Sequence, residues 1–576
     1  MWWHAADRKG RFSVRRCALV IGVGAAVAIM HRPTWNSFSS TLPWNLGDPA
    51  LGTWILAWEW HSILDEPTRF FEGNIFHPYG EALKYSDLIL PALPIFGVVQ
   101  ALSQSVIVAH NATIITLSVS SVAFTYCLAR RLIHGSAAII PALAFSFSGF
   151  VFMHQSHIQL LTLGFFPLGF LALFRTLENK RIRDGVWLGL VSSLLTMASF
   201  YYAAIWFVCL AVVVIVDAVR LRGPGREWWF AVGSGAAVTA LLVAPIALLY
   251  GSFQARVPFN REVGGLGLNP SDLITPAPGS VLYSGLFDWA AGRQPGGLVE
   301  HGFFLGFTIL TLALGGAVAW AVDSLTGRRH TAATPRAHLE IGYLVIAGAI
   351  SLLLAVGPEV RGVPMPFSLL SDLPGFGSIR AVSRLAVPAL LVASILGGWF
   401  LGRLLERPGP GARTLMVVLI TGAVLLELAV VPSRVPVGEP SEVRDLLRRA
   451  PPGAVVELPM LPASGPPYVF VEGPRLLQSL GDWRPRFNGF SGGFPPGYGE
   501  DVAALMEFPS QVALNRIEQL DLRYVILHGA SEKRGDRYSY EQIRFILNDL
   551  PPTTSVERSG DSWLIDLRPA IGGVDQ

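Results

Sequence analysis

Apolar runs separated by short basic loops follow one another along the chain as far as about residue 431. An α-helix needs about 20 mainly apolar residues to cross a bilayer. We therefore predict an α-helical polytopic membrane protein. Eleven runs approach or meet that length, and each is predicted to be a span: 15–31, 111–130, 136–153, 159–175, 185–200, 203–220, 228–250, 303–323, 339–357, 384–404 and 412–431.

A twelfth apolar run, 88–110, is interrupted by Pro91 and Pro94. If it crossed the membrane, every later basic loop, such as "RTLENKRIRD" and "RLLERPGPGAR", would move to the outer side. Positively charged loops stay in the cytoplasm. We therefore predict that 88–110 is re-entrant or lies on the outer face. The N-terminus is then cytoplasmic, and 32–110 forms a large first outer loop.

Beyond residue 431 the pattern changes to that of a small α/β domain. Strand-like runs are predicted at 454–460, 523–529 and 562–568, and helix-like runs at 441–450, 509–520 and 540–550. Between them, "GDWRPRFNGFSGGFPPGYGE" (481–500) has the composition of a shaped loop surface. The predicted organisation is a membrane domain, 1–431, and an extracytoplasmic domain, 432–576, which we call the tail.

Composition agrees with this organisation. Hydrophobic residues make up 51% of the 576 and charged residues only 15%, whereas a soluble protein has about a quarter charged. The net charge of +3 is too small to indicate nucleic acid binding. The apolar runs and the low charged fraction predict the bilayer as the partner. The sequence contains no phosphate-binding glycine loop, HExxH or CxxC motif, and nucleotide chemistry is therefore unsupported.

Asp48, in "NLGDPALGTWILAWEWHSIL", is the first candidate for chemistry. Pro49 suits the first turn of a helix, so Asp48 is a good N-cap for a helix predicted at 49–63. The tryptophans of that helix suit a membrane interface. A helix N-terminus stabilises a carboxylate anion, and Asp48 can therefore also serve as a base or a metal ligand. The residues alone leave capping and capping with function equally open.

Further polar residues fall on the predicted outer side. Asp87 and His77 lie in the first outer loop with Asp48. Two carboxylates and a histidine suffice for acid–base chemistry or for a divalent cation, although their spacing in the sequence matches no metal motif. Capping, turn formation and interfacial anchoring are the alternative explanations. The candidates for substrate binding are His77, Tyr85, Asp87, His154, His157, Gln159, Tyr201, Tyr202, Glu300 and His301.

Two arginines, Arg380 and Arg384, are spaced i, i+4 at the outer start of a span, where arginine is scarce. Such a pair on one helix face suits a phosphate, and anionic lipid headgroups are the alternative ligand. Glu427 lies inside the last apolar run, where a carboxylate is costly and therefore a functional suspect.

The sequence resembles the multi-span class C fold (GT-C) glycosyltransferases that use polyprenyl-phosphate-linked sugars. The resemblance rests on the Asp48 segment, "NIFHPYGEALKYSD", "VEHGFFLG" and "FGSIRAVSRLAVPALL", and the tail strings "VVELPM" and "LDLRYVILH" are similar to a largely uncharacterised bacterial branch. It implies that Asp48 is the general base or a metal ligand. It also implies an acidic residue at the next outer turn, where this chain has His154, His157 and Gln159 but no carboxylate. That departure leaves metal use and catalytic competence open.

The resulting expectation is an enzyme of a bacterial inner membrane that transfers a sugar from a polyprenyl-phosphate donor to an acceptor hydroxyl, with inversion. Arg380 and Arg384 are expected to hold the departing phosphate. The acceptor is a glycan, lipid or protein. A transporter, which should show internal repeats, and a non-catalytic scaffold, which would not need Asp48, are the alternatives.

Overall fold

The computed structural model is mainly helical and describes residues 14–257, 266–285, 298–327, 334–371, 373, 375–438, 443–463, 465–531 and 536–568. Within these residues, nine helices are long and apolar enough to cross a membrane. They are Val106–Leu132, Gly135–Ser156, Ile158–Asn179, Phe200–Leu221, Arg226–Arg256, Phe307–Thr326, Pro335–Ala355, Val382–Leu404 and Pro410–Leu428.

The other two predicted spans are also helical but have 17 residues each, Val14–Met30 and Ile182–Ala198. The 88–110 run forms an 11-residue helix, Leu93–Ser103, which at 1.5 Å per residue is too short to cross a bilayer. Many apolar side chains of the long helices point away from the protein, among them Leu241 and Leu248. An apolar exterior of this kind is typical of a lipid-facing surface, and the chain is a multi-pass membrane protein.

Three of the nine contain 3-10 segments near their ends. The first joins 3-10 helices Gly135–Ala138 and His154–Ser156 to α-helices Ile139–Ser146 and Gly149–Met153. The second joins Ile158–Gly164 to the α-helix Phe165–Asn179, and the third joins Val382–Ala386 to Val387–Leu404. These 3-10 segments carry several of the candidate residues.

The helix Asp48–Asp65, which we call the loop helix, is buried on all sides over Pro49–Glu59. The prediction of interfacial tryptophans is wrong here. Trp54 and Trp58 stack on each other, and the Trp54 indole donates to Asn74 Oδ1 at 2.8 Å. Both rings are buried because the loop helix lies between the membrane helices and the tail.

The tail contains a sheet in the order Ala454–Leu458, Leu522–Ala530, Ser562–Asp566 and Ser555–Ser559, with Tyr538–Ser539 beside the second strand. The first pair is parallel, and the other two pairs along that order are antiparallel. The three predicted strands are present, and Ser555–Ser559 is additional. The helices are Val443–Arg449, Gly465–Ser479, Tyr498–Leu505, Gln511–Gln519 and Tyr540–Asn548.

The tail is fastened to the first outer loop at several points. Strand Thr41–Pro43 pairs with Arg434–Pro436 at the start of the tail. The His61 ring of the loop helix stacks on Trp483 with 4.1 Å between ring centroids. The helix Gly465–Ser479 also packs against the loop helix. As a result, the tail covers one end of the membrane bundle.

The remaining elements are short. They are helix Arg32–Asn36, the hairpin Glu359–Val360 with Val363–Pro364, and 3-10 helices Pro67–Arg69, Ala82–Tyr85, Pro270–Leu273, Leu298–His301 and Pro366–Leu369.

Candidate active site

A cavity of about 810 Å³, the main cavity, lies between the ends of the membrane helices, the first outer loop and the tail. Eight of the thirteen predicted site residues line it: Asp48, Tyr85, Asp87, His157, Gln159, Tyr201, Arg380 and Arg384. The other five, His77, His154, Tyr202, Glu300 and His301, do not line it.

Asp48 is the first residue of the loop helix, and the prediction that it is the N-cap is wrong. Gly47 holds the cap position, and its N–H donates to Asn45 Oδ1 at 2.8 Å. The helix therefore begins one residue earlier than predicted. The Asp48 carboxylate, whose side chain is 48% exposed, is left facing the cavity, with Oδ2 3.5 Å from His157 Nε2.

His157 lies at the turn between two membrane helices, and its Nδ1 is 2.9 Å from the Ser156 hydroxyl. Burial, with help from nearby Arg384, lowers the pKa of His157 to about 4 against the opposing effect of Asp48. The imidazole is therefore neutral at pH 7. When Ser156 donates to Nδ1, the ring proton lies on Nε2 and faces Asp48. A neutral ring orients the carboxylate without neutralising it.

The lowered pKa of His157 predicts a stability change with pH. In the unfolded chain His157 titrates near 6.5, whereas in the folded chain it titrates near 4. Between these values only the unfolded state gains the proton, so stability falls as pH decreases from 6.5 towards 4. We expect His157→Gln to remove about 2 kcal/mol of the loss between pH 7 and pH 5. Thermal unfolding of both proteins across this range measures it, and parallel curves would contradict it.

Behind His157 lies a buried ion pair that joins two distant segments. The Arg384 guanidinium donates to both carboxylate oxygens of Glu300, at 2.9 Å from Nε and 2.5 Å from Nη2. His154 Nε2 is 3.4 Å from the same carboxylate, and the His154 ring stacks on Phe150. Burial raises the pKa of Glu300, but Arg384 and His154 together outweigh burial, and the pKa is held well below its usual range. This group supports the cavity wall from behind.

The structure separates the two predicted phosphate-binding arginines. They are not on one helix face, because Arg380 precedes the 3-10 helix Val382–Ala386 that contains Arg384. Arg384 is buried by Glu300 and by Tyr201, whose ring centroid is 4.7 Å from its guanidinium. Arg380 is exposed to the cavity and makes no ion pair with any described residue. Arg380 is thus the cation best placed to meet an anion.

Asp87 does not cap the segment that follows it. Its two oxygens accept from Phe200 N at 3.0 Å and from the Ser199 hydroxyl at 3.2 Å, so it caps the start of the helix Phe200–Leu221. Glu427 acts similarly, because it accepts from Thr308 N at 3.0 Å at the start of Phe307–Thr326. Both carboxylates hold helix ends in place.

The remaining predicted residues are structural neighbours of the site. Tyr202 donates to the Leu160 carbonyl. His301 Nδ1 is 2.9 Å from Asp272 Oδ2, and both residues are fully buried. His77 lies against the tail, where burial lowers its pKa while Asp521 opposes the shift. Tyr85, on the cavity wall, packs edge-on against Phe253, and burial raises its pKa to about 12.

The divalent cation that the family resemblance allows does not fit these residues. In the described part of the chain, no three His, Cys, Asp or Glu side chains converge as ligands. Asp87 also has both oxygens engaged at a helix start.

The sequence reasoning missed the contribution of the tail to the cavity wall. Phe490, Ser491 and Phe494 come from the predicted loop surface 481–500, so a signal was present. Phe470, from the unpredicted helix Gly465–Ser479, is half exposed at the same wall. Lys84 also lines the cavity, but it is paired with Glu81 at 2.5 Å. The tail therefore adds several aromatic side chains to the cavity wall.

Comparisons with known proteins place this geometry in context. The profile of a family described as a domain of unknown function (DUF6311) matches residues 18–429. A comparison with curated proteins gives no match. Among solved structures, the arabinofuranosyltransferase AftD from Mycobacteria is similar over 95% of this chain, at 14% identity and a TM-score of 0.57. This chain spans 40% of the length of AftD.

Two other solved structures are similar over most of the chain. The oligosaccharyltransferase AglB from Archaeoglobus fulgidus, in complex with an inhibitory peptide and a dolichol-phosphate, covers 88% of this chain and 69% of its own, at 14% identity and a TM-score of 0.46. ArnT from Cupriavidus metallidurans, bound to undecaprenyl phosphate, covers 96% and 98%, at 11% identity and 0.43. The similarity to AftD is at the level of the fold, and the predicted fold class is confirmed.

Proposed function

The chain belongs to the DUF6311 family, whose matched region covers the membrane bundle, and from this premise we propose that the main cavity transfers a sugar from a polyprenyl-phosphate donor to an acceptor hydroxyl. One observation carries the proposal. A carboxylate without an ion-pairing cation among the described residues, Asp48, and a similarly unpaired arginine, Arg380, line the same cavity. The other charged groups there, including Lys84 and Arg384, are already paired.

Asp48 would act as the general base. Its carboxylate takes the proton of the acceptor hydroxyl as that oxygen forms a bond to the anomeric carbon. The neutral His157 ring, 3.5 Å away, orients the carboxylate. Asp87 is the other carboxylate at the cavity, and its oxygens are engaged at a helix start. Among the described lining residues no second carboxylate is placed as a nucleophile, and a single displacement with inversion is therefore the favoured route.

Arg380 would stabilise the leaving group. As the bond from the anomeric carbon to the phosphate oxygen breaks, the electron pair stays on that oxygen and negative charge grows there. A positioned guanidinium stabilises such charge in the transition state. Arg384 is held by Glu300, and it would act mainly through the field it adds and the shape it gives the wall.

The distribution of arginines favours an extracytoplasmic cavity. The helices that bring His157 and Arg384 to the cavity have their other ends beside the basic segments Arg130-Arg131 and 403–413. Positively charged loops stay in the cytoplasm. In this orientation the tail, which lines the cavity, would lie on the outer face of a bacterial inner membrane. Lipid-linked rather than nucleotide-linked sugars fit that side.

The aromatic side chains that the tail adds to the cavity, Phe470, Phe490 and Phe494, suggest where sugar rings bind. Tyr201 was a candidate for substrate binding, but one face of its ring is covered by Arg384. Phe470, half exposed at the cavity beside Gly47, has a ring available instead. The membrane domain would end at about residue 431. The tail that follows would share with it the binding site for a glycan, lipid or protein acceptor.

A substitution at Arg380 tests the donor-phosphate assignment. We expect Arg380→Gln to weaken binding of a polyprenyl-phosphate sugar by about tenfold or more, because a charge-assisted hydrogen bond to phosphate is lost. Titration of the purified chain with a fluorescent polyprenyl-phosphate sugar measures this. Arg361→Gln is the matched control, since Arg361 is exposed but does not line the cavity. If both variants lost donor binding equally, or if neither lost it, Arg380 would not be part of the donor-phosphate site.

A further inference from the structure

A second cavity, of about 260 Å³, lies at the other end of the bundle. The helix Gly135–Ser156 starts at this cavity and ends beside His157 of the main cavity. The helix Val387–Leu404 runs in the opposite direction from Arg384, and its 18 residues span about 27 Å. The two cavities therefore lie near opposite faces of the membrane, and the proposed reaction does not use the second one.

The second cavity contains a buried donor with no acceptor. Trp399 lines it and is only 2% exposed. The Trp399 indole Nε1 is buried and has no hydrogen-bond partner among the described residues. One face of the Trp399 ring is covered by the Arg403 guanidinium, 5.0 Å from the ring centroid, and Arg403 is paired with Asp323. A buried N–H without an acceptor is costly, so an acceptor atom in the cavity would be stabilising.

The cavity also contains a cation whose charge is not neutralised. Arg413 lines it and donates to the carbonyls of Pro408 and Glu406, at 2.7 and 2.8 Å. Arg413 makes no ion pair with a carboxylate in the described ranges. Glu406 is the acidic residue of the lining, and its side chain is not a free carboxylate. Indole and guanidinium groups are donors only, so together they select an acceptor with negative charge.

From these two observations we propose that the second cavity binds a phosphate-ester anion. The second cavity lies near the membrane face that carries the arginine-rich loops. This position favours the headgroup of an anionic phospholipid as the source of the phosphate ester. Basic pockets between membrane helices on the cytoplasmic side are suited to such headgroups. The Trp399 indole would donate to a phosphate or ester oxygen, and Arg413 would supply the charge. The site would tie the bundle to the inner leaflet.

The proposal is tested on the full chain, purified in detergent, by native mass spectrometry during titration with phosphatidylglycerol. We expect Trp399→Phe and Arg413→Gln each to weaken phosphatidylglycerol binding by about tenfold, since each loses one hydrogen bond or charge at the headgroup. Trp399→Phe keeps the ring that Arg403 covers. Arg413→Gln leaves the buried indole unchanged, which provides a second variant if the first does not fold.

The controls are chosen from the same end of the bundle. Trp320→Phe removes an indole N–H that already has an acceptor, the His338 carbonyl at 3.4 Å. Arg407→Gln changes an exposed arginine of the same loop that does not line the cavity. Both should bind phosphatidylglycerol as the wild type does.

A parallel titration with inorganic phosphate separates the two sources. Weak phosphate binding with strong phosphatidylglycerol binding assigns the site to the lipid headgroup. Equally strong phosphate binding, lost in the same two variants, assigns it to free phosphate and supports the anion site. Diacylglycerol, which has no phosphate, bound as strongly as phosphatidylglycerol would overturn the proposal. Phosphatidylglycerol binding unchanged in both Trp399→Phe and Arg413→Gln would also overturn it.

Discussion

Asp48→Asn is expected to lower the rate of sugar transfer by a factor of about 10² to 10⁴, the range for loss of a general base. The side chain keeps its size, and Asp48 is not the helix cap, so the loop helix should form as before. Asparagine does not accept the acceptor proton, and the His157 contact alone does not replace it. Single-turnover assays with a lipid-linked donor would measure the change in the chemical step.

The matched control for this substitution is at the other end of the same helix. Asp65→Asn changes an exposed carboxylate, with a side chain 64% exposed, whose partner is His61 at 2.8 Å. We expect it to leave transfer unchanged. Donor binding should also survive in Asp48→Asn, because Arg380 is intact. If Asp48→Asn kept wild-type turnover, Asp48 would be only a first-turn residue of the loop helix.

Glu300→Gln is expected to lower the free energy of unfolding by about 3 to 5 kcal/mol, the usual loss when one partner of a buried ion pair is removed. Arg384 would be left buried with its charge unpaired, and His154 would lose its carboxylate contact. Thermal or denaturant unfolding of the purified chain in detergent would show the loss. Donor binding by the folded fraction of Glu300→Gln should change less than its free energy of unfolding does, since Glu300 does not line the cavity.

Two further variants show whether this loss comes from the ion pair. Glu178→Gln removes a partly exposed carboxylate that pairs with Arg131 and Arg336, and should cost about 1 kcal/mol or less. In the double variant Glu300→Gln with Arg384→Met, both charges are absent, and stability should recover relative to Glu300→Gln. If the effects of the two substitutions simply added, the pair would not be the source of the loss.

The membrane helices were predictable because their signal is local. Nine of the eleven apolar runs form helices long and apolar enough for a bilayer, and the other two form helices of 17 residues. The tail strands were predictable for the same reason. The helix Gly465–Ser479 was not, because Gly465-Pro466-Pro467 and Pro474 are poor helix formers, and packing against the loop helix stabilises it instead.

The site was predictable in its residue types but not in its pairings. Asp48 was a candidate because a carboxylate at a helix start is stabilised as an anion, and Arg380 because arginine is scarce on the outer side. His157 was a candidate because it lies in a polar turn where two spans meet, and all three share one cavity. The Glu300–Arg384 pair joins residues 84 apart in the sequence, and no local pattern reports a contact at that distance. The same holds for Asp87, which caps a helix 113 residues later. Tertiary packing decides which polar residues face the cavity.

The measurement that tests the central claim most directly is transfer by the purified wild-type chain. Radiolabelled sugars on polyprenyl phosphate would be offered with glycan, lipid and peptide acceptors, and both products would be followed. The proposed function predicts a glycosylated acceptor of inverted anomeric configuration and an equal amount of released polyprenyl phosphate, with neither formed by Asp48→Asn above background. Donor bound at the main cavity without transfer to any acceptor, in a folded wild-type chain, would contradict the enzyme and favour a non-catalytic scaffold.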